Sequence, residues 1–185
     1  MSNLTIKENE FGLLANGDKV KLFTVSNGNM SVSVSDFGPT LTSIMLPTSS
    51  GAPVDVLLGF STLEGFVQDD CSFGTGIGRY ANRIGNASFE LDGKKFKLDE
   101  NDANRTLHGG FDRWEKKVWL AEQVDTKFGK GISFSRLSPD GEQGFPGNLK
   151  VRQVITLDGD NNLTLEYFAT TDAPTVINLT NHAYF

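Results

Sequence analysis

The chain has 185 residues, 38% hydrophobic and 22% charged, with a formal net charge of −6 and a pI near 4.9. That length makes one domain, residues 1–185, burying roughly 70% of the surface an unfolded chain exposes, and the composition excludes a wholly disordered chain. An acidic chain without a Lys/Arg cluster lacks the footprint for a phosphate backbone, so nucleic acid is not an expected partner.

Met1 to Glu10 has neither the basic n-region nor the apolar stretch of a secretory signal. No apolar run approaches the ~20 residues that span a bilayer, and the single cysteine, Cys71, permits no intrachain disulfide. A reduced, cytoplasmic home is the expectation, with no membrane contact.

Period-2 alternation then dominates. Val20, Leu22 and Thr24 share one face of a first strand, with Lys19, Lys21 and Phe23 opposite. Asn27-Gly28 signals a tight turn, after which Met30, Val32 and Val34 alternate with serines. Gly38-Pro39 breaks the run before Leu41 to Leu46 resumes it, and Val54 to Leu58 reads as a short apolar strand. Ser61-Thr62-Leu63-Glu64 has capping-box spacing and predicts one short helix from about Thr62 to Phe66. Residues 73–85 are glycine-rich and carry Arg79, Asn82 and Arg83. Asp92-Gly93, flanked by 87–91 and 95–98, is the strongest hairpin signal. The stretches 118–124, 132–137, 149–157, 163–170 and 175–185 read as further strands. Many strands, regular turns and scarcely any helix predict an all-β, antiparallel β-sandwich.

Few residues can carry chemistry. Gly74-Thr75-Gly76-Ile77-Gly78 has its third glycine one place early for a dinucleotide fingerprint and lacks the following helix. Walker A, HExxH, CxxC and G-x-S-x-G patterns are absent, and two isolated histidines with one distant cysteine make a poor metal site, so no metal or cofactor is expected. What remains is a polar set around two proton carriers, His108 and His182. His108 sits in Arg105-Thr106-Leu107-His108-Gly109-Gly110, and a histidine in such a loop is solvated, structurally hydrogen-bonded or catalytic. Asn82, Arg79 and Arg83 supply fixed donors suited to a ligand rich in hydroxyls. Trp114 reads equally as a surface for a sugar ring or as a loop anchor, and Trp119 as core. Two histidines with neutral donors suit acid–base work on a sugar.

Four ordered segments resemble one family. They are Gly78-Arg79-Tyr80-Ala81-Asn82-Arg83-Ile84, Thr106-Leu107-His108-Gly109-Gly110, residues 138–147, and Asn178-Leu179-Thr180-Asn181-His182-Ala183-Tyr184-Phe185. Together they resemble the signatures of the aldose 1-epimerases, the galactose mutarotases. The resemblance implies a large antiparallel sandwich of the galactose mutarotase-like type, a small-molecule hexose as partner, and an isomerase of carbohydrate metabolism needing no cofactor. By the same resemblance His182 is the general acid, His108 a catalytic and substrate-binding histidine, and Asn82, Arg83 and Tyr184 line the sugar pocket. The family's glutamate base has no counterpart here, and Asp140 and Glu142 read as parts of a turn-forming loop. The apolar stretch 176–185 reaches the last residue without a turn. The chain is therefore expected to be the N-terminal part of a mutarotase, inactive alone, and a monomer or homodimer. A non-catalytic sugar-binding sandwich and an epimerase of phosphorylated hexoses, the latter needing Arg79, Arg83 or Arg105 for phosphate, are the alternatives.

Overall fold

The computed structural model describes residues 4–185. Five antiparallel strands in chain order make the first sheet: β1 (Thr5–Leu13), β2 (Lys19–Ser26), β3 (Ser31–Ser35), β4 (Thr40–Leu46) and β5 (Val54–Asp55). A short helix, α1 (Leu63–Gln68), follows. The middle of the chain makes short ladders from β6 (Gly76–Ile77), β7 (Arg83–Gly85), β8 (Ser88–Leu91), β9 (Lys94–Lys97) and β10 (Arg105–Leu107). A second sheet follows in chain order from β11 (Leu120–Thr126), β12 (Gly129–Ser138), β13 (Leu149–Leu157) and β14 (Leu163–Thr171). The short strand β15 (Thr180–Asn181) returns to pair with β6.

The two sheets pack face to face as a β-sandwich. Phe23, Val25, Val32, Val34, Leu41 and Ile44 of the first sheet meet Ile132, Phe134, Leu149, Val151, Ile155 and Leu157 of the second in one core. The rings of Phe23 and Phe134 meet edge to face across it at 6.3 Å. Burying a side chain of that size contributes roughly 2–3 kcal/mol. Trp119, 4% exposed, belongs to this core as expected, although it lies just before β11 rather than inside a strand starting at Val118.

Local signals held where local geometry decides. At the Asp92-Gly93 turn both residues take positive φ, 51° and 71°, which a two-residue hairpin of this kind requires, and β8 pairs with β9 around it. Elsewhere packing overruled pattern. Phe23 lies 1% exposed in the core rather than on the lysine face. Instead Val20 points the other way, into a smaller cluster with Phe37, Leu63 and Phe66. An extra residue, Phe11, bulges β1 opposite this point, between Glu10 and Gly12. β1 shows no legible period in the sequence, because its charged residues hide that of an edge strand. Of the stretch 54–58 only Val54–Asp55 is a strand, and both are exposed. The helix is capped by Thr62, which accepts from the Gly65 N–H, so it starts one residue later than a Ser61 cap would place it.

Candidate active site

Two short ladders bring the histidines together. β6 pairs with β15, Gly76 opposite Asn181 and Ile77 opposite Thr180. The pairing continues as the His182 N–H donates to the Thr75 carbonyl at 2.9 Å and the Gly74 N–H to the His182 carbonyl at 3.1 Å. β7 pairs with β10, Arg83 opposite Leu107, which places His108 opposite Asn82. The β6 and β7 segments are joined by only a few residues, so the two ladders converge.

The His108–Asn82 pair departs from a regular ladder. The His108 N–H donates to the Asn82 carbonyl at 3.0 Å, as pairing requires. In return the Asn82 N–H donates not to a carbonyl but to His108 Nδ1, also at 3.0 Å. Both residues take left-handed backbone, φ 62° for Asn82 and 52° for His108. That conformation disfavours side chains and is held here by the reciprocal bonds. Gly109 follows at φ 86°, and a Cβ there would overlap the Gly78 carbonyl, so only glycine lets the two segments lie this close.

This geometry sets the protonation of His108. A ring nitrogen that accepts a backbone N–H carries no proton, so the neutral ring bears its hydrogen on Nε2. Burial, with smaller contributions from His182, Arg83 and Arg113, lowers its pKa from 6.5 to about 4. His108 is therefore a neutral donor at physiological pH. Its ring stands at 89° to that of His182, centroids 5.1 Å apart. His182 in turn lies 5.1 Å from the Tyr184 ring, and Tyr184 meets Phe73 edge to face at 5.1 Å. Both histidines are half-buried, while Asn82, Arg83 and Tyr184 are exposed.

Arg83 is held beside them. Its Nε donates to Asp102 Oδ2 at 2.7 Å and its Nη1 to Asn82 Oδ1 at 3.3 Å. Arg105 Nη2 reaches the same Asp102 oxygen at 3.1 Å. The Arg83 hydrogen bond, with Arg105 adding to it, holds the Asp102 carboxyl below its ordinary range. The five sequence candidates His108, His182, Asn82, Arg83 and Tyr184 thus form one connected group. Asp102, Phe73 and Arg113 join its surroundings without having been singled out. Asp102 carried only the signal of a carboxylate between two arginines in sequence, and Phe73 carried none.

Other sequence candidates turn away. Arg79 is 1% exposed and spends its guanidinium on the Ser138 hydroxyl and the carbonyls of Ser138, Pro139, Pro146 and Gly147, at 2.7–2.9 Å. Trp114 is core rather than a sugar platform: it is 4% exposed, packs edge to face on Trp119 at 5.6 Å and donates through Nε1 to Glu142 at 3.0 Å. Glu142 also accepts from Arg136 at 2.7 Å and from the Ser138 hydroxyl. Asp140 accepts from the Gly147 N–H at 2.5 Å. Both carboxylates are loop structure, as the turn reading expected. Among the described residues no group of three or more His, Cys, Asp or Glu side chains could hold a metal, and no helix is long and apolar enough to cross a membrane.

Comparison with known proteins finds relatives of one family. The family model for aldose 1-epimerase matches residues 21–185. The galactose mutarotase of Rattus norvegicus is 39% identical over 183 residues, 98% of this chain and 52% of that protein. The aldose 1-epimerase of Escherichia coli is 39% identical over 175 residues, 94% of this chain and 49% of that protein. Among solved structures, a galactose 1-epimerase from Lactobacillus acidophilus superposes with a TM-score of 0.88 at 26% identity, covering 99% of this chain and 53% of that one. An aldose epimerase homologue from C. elegans gives 0.76 at 35% identity, covering 84% and 47%. The chain spans about half the length of the curated relatives it matches.

Proposed function

This chain belongs to the aldose 1-epimerase family, and on that premise we propose that it carries the acid half of a site interconverting the α and β anomers of a free hexose such as galactose or glucose. The observation that carries the reading is the pair of perpendicular imidazoles 5.1 Å apart, one of them locked as a neutral donor by Asn82.

Opening a hemiacetal needs a proton delivered to the ring oxygen while the anomeric hydroxyl gives one up. His182 delivers the first proton. His108 donates Nε2–H to the substrate near the ring oxygen and, being neutral, does not compete for the proton. Asn82 and Arg83 bind sugar hydroxyls and fix the ring against the histidines, with Tyr184 as one wall. Rotation about the C1–C2 bond presents the other carbonyl face, and His182 retakes its proton as the ring closes. No carboxylate among the described residues hydrogen-bonds either histidine. The acceptor for the anomeric proton is assigned outside these 185 residues, which by themselves are expected to be inactive.

Polarimetry on freshly dissolved α-D-galactose tests this in the full natural chain. Mutarotation faster than buffer, abolished by His182→Asn without change in the circular dichroism spectrum, is expected. Near wild-type rates in that variant would remove His182 from its role. Sugar binding by calorimetry with a rate equal to buffer would instead favour a non-catalytic sugar-binding sandwich. The phosphorylated-hexose alternative is disfavoured by the buried, fully engaged Arg79 and by the sharing of Asp102 between Arg83 and Arg105.

A further inference from the structure

We propose that Asn101 is a positioning residue for His108: its side-chain amide grips the turn that carries the imidazole, from the edge opposite Asn82. Its part in catalysis rests on the role given to His108 above; the hold on the turn does not.

His108 stands at the centre of a tight turn. The Gly110 N–H donates to the Leu107 carbonyl at 3.1 Å, so Leu107 and Gly110 are its ends and His108 and Gly109 its middle. Both central residues have positive φ, 52° and 86°, the mark of a type I′ turn. Asn, Asp and Gly are the usual residues where His108 sits. A bulkier side chain keeps such a backbone only where neighbours hold it there. Asn82 does so from one side.

Backbone pairing leaves the other side open. The His108 N–H bonds to Asn82, and successive strand residues turn their N–H and C=O groups to alternate edges. Leu107 therefore points its backbone groups away from β7, and among the described residues β10 has no second neighbouring strand. Asn101 takes that place. Its Oδ1 accepts the Leu107 N–H at 2.7 Å. Its Nδ2 donates to the Leu107 carbonyl at 2.9 Å and to the Gly110 carbonyl at 2.9 Å. One amide grips both ends of the turn.

Asn101 is itself held. Asp102 and Arg105 exchange backbone hydrogen bonds at 3.2 and 3.0 Å, a tight reversal that lays Asn101 beside Thr106. The Thr106 hydroxyl donates to the Asp99 carbonyl at 2.7 Å, and the Asp99 N–H donates to the Gln143 carbonyl at 3.2 Å. Adjacent residues then divide the work: Asp102 holds Arg83, and Asn101 holds the turn of His108. Without the Asn101 amide a single backbone bond closes that turn, and the His108 backbone can relax to negative φ. The ring then leaves the Asn82 N–H and loses what selects its Nε2–H form.

The full natural chain is tested with Asn101→Ala and with Asn101→Gln, which keeps a donor and an acceptor on a side chain one methylene longer. Nitrogen-15 spectra of the imidazoles report the tautomer, with the His108 signals identified by their loss in His108→Asn. Wild-type His108 should show one protonated and one bare ring nitrogen. In Asn101→Ala the two signals are expected to draw together as the tautomers mix. In the same variant kcat for α-D-galactose should fall about tenfold or more, with KM raised less than about threefold. Asn101→Gln should show the same changes to a smaller degree, and decides the matter if the Ala variant does not fold. A His108 tautomer identical to wild type overturns the proposal however much stability is lost, since Asn101 is then structural only. A mixed tautomer with unchanged kcat overturns the catalytic part. If the wild-type chain does not turn over sugars, the proposed function falls while the tautomer still decides whether Asn101 holds the turn.

Discussion

His108 owes its state to the backbone of its partner, since one N–H of Asn82 selects which ring nitrogen keeps the proton. Arg83 is constrained in the same indirect way. Nε is committed to Asp102 and Nη1 to Asn82, leaving Nη2 without a protein partner among the described residues and available to a sugar hydroxyl. A charge-assisted hydrogen bond of this kind contributes about 1.5–3 kcal/mol. Arg83→Ala is therefore predicted to raise KM on the order of tenfold or more, with kcat changed less. Asp102→Asn, which weakens the clamp but leaves the guanidinium, should raise KM in the same direction by a smaller factor. Initial-rate measurements at varied galactose check both, and an unchanged KM in Arg83→Ala would exclude it from the sugar contact. That Arg83 and Asn82 lie beside the histidines was legible from residue type and family resemblance. Asp102 was not, because an ion pair across 19 positions exists only once β7 and β10 pair.

Arg79 shows the same limit for whole elements. Its sequence setting, among glycines beside Asn82 and Arg83, reads as ligand-binding. The fold instead drives it into the loop of residues 138–147, where one guanidinium joins four carbonyls and a hydroxyl. It thereby fixes the segment carrying Asn82 and Arg83 to the second sheet. Arg79→Met would leave those acceptors unmatched in a buried place, and we predict a loss of about 3–4 kcal/mol in urea denaturation. A loss under about 1 kcal/mol would show that the loop has other support. Hairpins such as β8–β9 could be read in advance because a turn dipeptide and its flanks are local. The terminal apolar stretch could not. Its alternation is real, but only Thr180–Asn181 finds a pairing partner of strand type.

For the molecule as a whole, the half-buried His108 and the buried Asp36 oppose each other in the dependence of stability on pH. Burial lowers the His108 pKa from 6.5 to about 4. Between those values the unfolded chain binds more protons, so stability rises with pH and the contribution is complete above 6.5. Asp36, 4% exposed and accepting the Lys21 N–H at 2.9 Å, has its pKa pushed by burial from 3.8 up to about 6. Here the folded chain binds more protons, and stability falls as pH rises through that window. Asp36→Asn keeps an acceptor for Lys21 and removes the falling part. We predict that its melting temperature climbs more steeply than wild type from pH 4 to 6. At pH 7 the variant should be more stable on the order of 1–2 kcal/mol. Parallel melting profiles would refute this. By itself the sequence determined the β class, the tight turns and the places of its two histidines, because alternation, turn chemistry and residue type are local properties. Only the tertiary structure decided that His108 is a neutral donor, that Arg79 and Trp114 are structural, and which face of β2 is core. Each of those depends on burial and on partners distant in the chain.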